Sequence, residues 1–267
     1  MGDSGEIQST SEEFERAARV LLDSPYVIAL TGAGLSVESG IPPFRGPGGL
    51  WTKHGEPPMD GYRRFMDDPA GEWRKRLNPE GPMKALAETL AKATPNAGHR
   101  ALVELEELGV LQALITQNID NLHRAAGHKR VLEIHGNATL LRCLSCVGRL
   151  PRDAVSIDPE NLPPLCPSCG GILKGDTVQF GEPIPPDVLP DCFEEGRRAN
   201  CCIVAGTSAT VYPAAQIPLD VLNRGGALIE VNLYESEITR VCEVSLRGPG
   251  AATLTRLVET ARRLARG

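Results

Sequence analysis

Cys143, Cys146, Cys166 and Cys169 stand as two Cys-x-x-Cys pairs separated by nineteen residues, and no other feature restricts the fold of this chain as tightly. Two such knuckles can surround one tetrahedral Zn2+ with four thiolates at about 2.3 Å, which leaves no open position for a substrate or an activated water. Zinc held in this way serves structure and takes no part in chemistry. Two disulfides, or thiols that merely pack, are the alternatives. The pair spacing favours zinc, and so does the start of the chain, where Met1 to Ser11 has acidic Asp3 and Glu6 and no apolar run of a secretory signal. Cys192, Cys201, Cys202 and Cys242 lack pair spacing. Cys201 and Cys202 open an apolar run, where a free thiol behaves as a small hydrophobe. A reducing cytoplasm is the expected compartment.

The length of 267 residues allows one large core with a smaller attachment. No apolar stretch approaches the roughly 20 residues of a membrane span. A formal charge of −6 argues against direct nucleic-acid binding, which draws on clustered Lys and Arg. Thr10 followed by Glu13 reads as a capping box for a helix over 11–22. Apolar, β-branched runs predict strands at Tyr26–Leu30, Val110–Thr116, Val131–Ile134, Thr177–Phe180, Cys201–Ala205 and Ala227–Val231. Helical patterns lie between most of them, such as Ala97–Leu108 closed by Gly109 and Ala214–Asn223 closed by Gly225. The alternation implies an α/β fold, a Rossmann-like parallel six-stranded sheet covered on both faces. The sheet domain is expected over 1–40, 82–140 and 175–267. Two segments interrupt it: a cofactor-loop and helical insertion over 41–81, with seven prolines and seven glycines, and a small four-cysteine zinc module over 141–174.

Ligands of open parallel sheets lie outside the carboxyl ends of the strands, and polar residues gather there. After Leu30 comes Thr31-Gly32-Ala33-Gly34-Leu35-Ser36, whose small residues let a pyrophosphate approach backbone donors. The third glycine of the dinucleotide fingerprint is replaced by Val37. Thr116-Gln117-Asn118-Ile119-Asp120 follows the second strand, and helix capping accounts for Asn118 or Asp120 but not for the whole cluster. His135-Gly136 follows the third, and an imidazole there suits general-base work near neutral pH. Gly206-Thr207-Ser208 and Asn232 complete the rim with groups suited to ribose hydroxyls. A hydride-transferring enzyme shows an acidic residue about 20 positions beyond its glycines, at the end of the next strand of a βαβ unit. Gly40-Ile41-Pro42-Pro43-Phe44-Arg45-Gly46, the stretch that follows the glycines here, cannot be that strand, so a dinucleotide would be bound differently, and consumed.

Over residues 12–262 these motifs, with Phe180-Gly181-Glu182 and Val231-Asn232, resemble the sirtuin family of NAD-dependent protein deacylases, in its bacterial or archaeal form. The resemblance implies that NAD is a co-substrate, that Zn2+ is structural, and that acylated-lysine proteins or peptides are the partners. The products would be free lysine, nicotinamide and an O-acyl-ADP-ribose. It implies His135 and Asn118 as catalytic residues, with Ala33, Gly34 and Ser36 at the pyrophosphate, Phe44 and Arg45 closing on the dinucleotide, and Asn118 and Asp120 at the nicotinamide end. Gln117 would hold the adjoining ribose and Ser208 and Asn232 the adenosine side. Gly32, Ile119, Gly206, Thr207 and Cys242 join the cofactor-binding set. Val178, Phe180, Gly181, Glu182 and Leu233 would bind the peptide, added as a strand. Trp73 and Arg76 stand where relatives that remove succinyl groups have Tyr-x-x-Arg. Glu56 is expected near Arg76, competing with an acidic acyl tail and so favouring neutral acyl groups. An ADP-ribosyltransferase or NAD glycohydrolase on the same site is the rival enzyme reading, and an NAD-sensing adaptor the rival of another class.

Overall fold

The computed structural model describes residues 5–266. The strands are β1 (Val27–Thr31), β2 (Leu111–Thr116), β3 (Val131–Glu133), β4 (Leu140–Cys143), β5 (Arg149–Pro151), β6 (Leu173–Gly175), β7 (Cys201–Ala205), β8 (Ala227–Asn232) and β9 (Val244–Arg247). Six of them form one sheet in the order β3-β2-β1-β7-β8-β9, with every pair parallel. All five residues of β1 and of β7 are buried, because helices cover both faces and a strand so placed has no polar side.

Thr10 starts the first helix, Ser11–Asp23: its Oγ1 accepts from the Glu13 N–H at 3.3 Å and its own N–H donates to Glu13 Oε2 at 2.7 Å. The buried stripe of this helix, Phe14, Ala17, Ala18 and Leu21, shares one core with Ala101, Leu102 and Leu105 of helix Ala97–Glu107 and with Leu254, Leu257, Val258 and Ala261 of helix Gly250–Ala265. On the opposite face Cys192, Ile217 and Val221 pack with Ile28, Ile115, Cys202 and Val204. Strand order reverses beside β1, with β2 on one side and β7 on the other, so the crevice beyond their carboxyl ends is the expected ligand site.

One predicted strand is absent. Thr177–Phe180 does not join the sheet, and the sixth strand is β9. The polar groups of the 177–180 segment are taken by loop partners: Val178 N–H donates to His135 O at 2.9 Å, Gln179 N–H to Glu182 Oε2 at 2.8 Å, and Thr177 O accepts from Lys174 Nζ at 3.0 Å. β9 buries Val244 and Leu246 and leaves the alternate residues half-exposed, the pattern of a sheet edge.

β4, β5 and β6 form a separate antiparallel sheet in the order β5-β4-β6. Its core of Leu141, Cys143, Cys166 and Leu173 also contains Phe65 and Trp73, from the short helices Gly61–Asp67 and Pro69–Leu77 of the insertion. No helix among the described residues is long and apolar enough to cross a membrane.

Candidate active site

The turn after β1 and the turn after β7 interlock. Gly32 N–H donates to Ala205 O at 3.0 Å and Gly34 N–H to Gly206 O at 2.7 Å. A Cβ on Gly32 would come within 2.6 Å of Thr207 Cβ, and one on Gly34 within 2.8 Å of Gly206 Cα. Gly206 itself lies at φ +65° against the backbone of Leu35. The glycines are therefore required by contact between two loops, a demand that a fingerprint read along the chain does not reveal.

Between these loops the end of β2 places a connected set of polar groups. Asn118, nearly buried, donates from Nδ2 to Gly32 O at 3.0 Å and to Ser36 Oγ at 3.2 Å. Ser36 Oγ donates in turn to Asp120 Oδ2 at 2.6 Å. Burial raises the Asp120 pKa above the usual carboxylate range, against the Ser36 bond that lowers it. Gln117 Nε2 donates to Thr207 Oγ1 at 2.9 Å, and Asn232 Nδ2 to Thr207 O at 2.9 Å. Ser208 Oγ lies 2.9 Å from Thr210 Oγ1. Ala138 N–H holds Ile119 O at 2.8 Å. Cys242 packs at the edge of the core, its Sγ toward Ile238 O at 3.2 Å, and burial pushes its thiol up to about 12.

His135 Nδ1 lies 3.1 Å from Gln117 O. A carbonyl can only accept, so Nδ1 carries the hydrogen and Nε2 keeps its lone pair. Burial lowers the pKa of the ring, opposed by the bond to Gln117, and the imidazole is neutral at pH 7. The site thus contains an oriented, unprotonated base on the same rim as Asn118, Ser36 and Gly34.

On the other side Phe44, Trp51 and Phe180 form a chain of tilted rings, with centroids 5.0 and 5.6 Å apart, and the Arg45 guanidinium lies 4.5 Å from the centre of the Trp51 ring. Trp51, absent from the sequence-based site, thereby joins the Phe44 loop to the 180–182 turn. Gly181 sits at φ +80°. Glu182 accepts from Lys174 Nζ at 3.0 Å and from Gln179 N–H, so it orders the turn from within. Leu233 is half-buried beyond β8.

Glu56 pairs with Arg45 at 3.1 Å, which overturns the expectation that it competes for Arg76: both arginines lie between β1 and β2, and Arg45 is the one within reach. Trp73 is 1% exposed, with its indole N–H donating to Leu173 O at 2.8 Å. It is a packing residue between the helix Pro69–Leu77 and the small sheet. The Arg76 guanidinium lies flat on Gly175, where a Cβ would overlap it. It has no carboxylate partner among the described residues, and burial first, then neighbouring Arg152, lowers its pKa to about 10.

The four cysteine sulfurs lie within 4.8 Å of one another. Cys143 and Cys169 Sγ are 3.5 Å apart, and Cys146 and Cys166 Sγ 3.9 Å. A tetrahedron of thiolates at the zinc–sulfur distance has edges of about 3.8 Å, so the donor set fits a closed structural site. Backbone N–H groups of Ser145 and Cys146 point at Cys143 Sγ at 3.4 and 3.5 Å. The Ser168 N–H is the main cause lowering the Cys166 thiol to about 7, and both arrangements favour thiolate.

Beneath the rim three histidine rings pack against one another at steep angles, 57° and 64° between planes. His99 and His123 have centroids 4.8 Å apart, and His123 and His128 5.3 Å. His123 Nε2 lies 2.9 Å from Thr31 Oγ1, which donates to Thr116 Oγ1 at 2.9 Å, and Thr116 Oγ1 accepts the Asn118 N–H. Burial depresses the pKa of all three rings, His99 to about 4. The unfolded chain therefore binds protons below about pH 6.5 that the folded state refuses until about pH 4. Stability is expected to be intact above pH 6.5 and to fall as pH drops toward 4, by on the order of 2–3 kcal/mol for His99 alone. Urea titrations across that range check this. A midpoint that falls less steeply with acid in His99→Gln than in the parent chain, with the remainder carried by His123 and His128, is the expected contrast.

Known proteins share this sequence and fold over most of the chain. The model of the Sir2 family matches residues 32–213. The NAD-dependent protein deacylase 1 of Archaeoglobus fulgidus is 41% identical over 251 residues, covering 93% of this chain and 98% of that protein. A crystal structure of a Sir2 homologue–NAD complex superposes with a TM-score of 0.79 at 40% identity, covering 98% of this chain and 97% of the other. A Sir2–p53 peptide–NAD+ structure superposes with a TM-score of 0.73 at 35% identity, covering 97% and 98%.

Proposed function

The chain belongs to the Sir2 family, and from that premise we propose that it is an NAD-dependent protein lysine deacylase, transferring the acyl group of an acyl-lysine to ADP-ribose with release of nicotinamide. The observation that carries the reading is the neutral His135, held by Gln117 O with Nε2 free as a base, beside Asn118, Ser36 and Asp120. NAD supplies a ribose carbon that nicotinamide leaves and the acyl oxygen joins. Asn118 and Asp120 hold the nicotinamide end. Gln117 orients the adjoining ribose, and His135 Nε2 takes the proton of the ribose hydroxyl that next attacks the acyl carbon. The loops at Gly32–Ser36 and Gly206–Ser208, with Asn232, take the pyrophosphate and adenosine side, while Phe44 and Arg45 cover the dinucleotide.

The peptide lies as an added strand between Phe180–Glu182 and Leu233–Glu235. Among the described residues, Leu233 to Glu235 make no main-chain hydrogen bond to another main-chain segment; Tyr234 O accepts from Arg247 Nη1 at 3.1 Å, and the rest of that edge is available for pairing. The four cysteines hold zinc, which takes no direct part in the chemistry; the group transfer makes the enzyme a transferase, and its free thiols suit the reducing cytoplasm. Nicotinamide release measured with and without an acetylated peptide tests the whole reading. Release that depends on the peptide, with a stoichiometric loss of acetyl-lysine, is expected, whereas equal release without peptide would mark an NAD glycohydrolase.

With Glu56 engaged by Arg45, nothing offsets Arg76 as a partner for an acidic acyl tail. A charge-assisted pair contributes ~1.5–3 kcal/mol. Arg76→Ala is therefore expected to lower kcat/KM on a succinyl-lysine peptide about tenfold or more, ~1.4 kcal/mol, relative to the acetyl form of the same peptide. Equal losses on both peptides would place Arg76 outside the acyl pocket.

A further inference from the structure

The catalytic loop is built against the small sheet through one buried carboxylate. Asp176, 1% exposed, directly follows β6. Its Oδ1 accepts from Arg142 Nε at 2.7 Å. Its Oδ2 accepts from the Asn137 N–H at 2.9 Å, from Arg149 Nε at 3.1 Å and from Arg149 Nη2. Its carbonyl oxygen fills the space where a Cβ on Gly136, at φ +78°, would lie, and two residues on Val178 N–H donates to His135 O at 2.9 Å. Thus His135, Gly136 and Asn137 are each gripped by residues 176–178.

The other end of this arrangement is the cysteine cluster. Arg142 is adjacent to Cys143 on β4 and pairs in register with Lys174 on β6, as Cys143 does with Leu173. Arg142 also donates to Asp187 Oδ1 at 2.8 Å and to Val147 O at 3.1 Å, directly after the first cysteine knuckle. Arg149, on β5, bridges Asp176 to Glu133, the last residue of β3. Burial pushes the Glu133 carboxyl up, but bonds from Arg124, Arg149 and Asn137 hold it below its usual range. The charged groups around Asp176 are therefore Arg142 and Arg149, with Glu133, Arg124, Asp187 and Lys174 one step out.

We propose that Asp176 is a positioning residue for His135, tying the loop of the base to the strands that carry the cysteine cluster, so that the cluster's integrity sets the placement of the base. This rests on the reading of His135 as the base. A displaced base slows the step after nicotinamide has left and spares the step before it. A residue that only supports the fold affects both alike, because it changes the fraction of folded enzyme.

The test uses the full chain with Asp176→Asn, which removes the charge and leaves one acceptor oxygen for the four N–H donors of Arg142, Asn137 and Arg149. Metal content and NAD affinity are expected to stay at parent values. Turnover of an acetyl-lysine peptide is expected to fall at least ~10-fold, while exchange of labelled nicotinamide into NAD stays within about twofold. Parent turnover, or turnover and exchange reduced in equal proportion, would overturn the proposal. Should Asp176→Asn fail to fold, Arg149→Gln at the rim of the network takes its place, with about a threefold loss of turnover and parent exchange expected. Unchanged turnover there overturns the proposal too. His135→Ala separates the two levels. If it abolishes turnover while Asp176→Asn works normally, only the positioning role falls. If His135→Ala itself retains parent turnover, the base assignment falls and the proposal falls with it.

Discussion

Replacing His135 with alanine is expected to lower deacylation turnover by about 10²–10⁴-fold, the usual contribution of a positioned general base, with NAD affinity nearly unchanged. The geometry explains the separation. Among the described residues the His135 ring hydrogen-bonds the rim through Nδ1 to Gln117 O alone, whereas the interlocked turns at Gly32–Gly34 and Gly206–Thr207, and the Asn118–Ser36–Asp120 set, are held by bonds that do not include the imidazole. His135→Gln should be nearly as inactive, since an amide fills the space and lacks a basic nitrogen. Single-turnover kinetics with an acetyl-lysine peptide, together with calorimetric NAD binding, separate the two quantities. Turnover near the parent rate in either variant would be incompatible with the assignment of the base.

Cys166→Ser is expected to lower stability and activity together, although no cysteine of the cluster belongs to the rim. Structural zinc contributes an apparent ~10–16 kcal/mol in isolated finger modules, and that binding is folding free energy. Here the cluster lies inside the core formed by Leu141, Leu173, Phe65 and Trp73, so losing a ligand loosens the packing of the insertion as well as the small sheet. A loss of ~4 kcal/mol, a fraction of the finger value, corresponds to a Tm roughly 10 °C lower. Metal analysis, differential scanning calorimetry and turnover on the same preparation check it. Metal-free protein that melts and turns over as before would exclude a structural metal.

The parallel sheet was legible because its strands are buried on both faces, and such strands read as continuous apolar runs; five of the six predicted runs lie in the large sheet. The error at Thr177–Phe180 has a local cause. Valine and phenylalanine favour a strand, but the segment starts immediately after Asp176, whose bonds direct the chain across His135 instead of into the sheet. β9 was missed for the converse reason, since an edge strand of four residues with only Val244 and Leu246 buried gives a weak signal. Trp51 escaped notice because its neighbours Phe44 and Phe180 are far apart in sequence, and nothing local marks an aromatic contact across that distance.

What the sequence determined by itself was chemistry that depends on residue type and short spacing: two cysteine pairs, glycines after a strand, a histidine at a strand end, and the periodicity that gives an α/β sheet. Tertiary structure alone decided pairings between distant segments. It gave Glu56 to Arg45 and left Arg76 lying on Gly175. It fixed the His135 tautomer through Gln117 O, and it connected the cysteine cluster to the loop after His135 through Arg142 and Asp176. The physical reason is that charge and hydrogen-bond energies depend on distances of a few ångströms between groups, and for groups tens of residues apart those distances are set by packing.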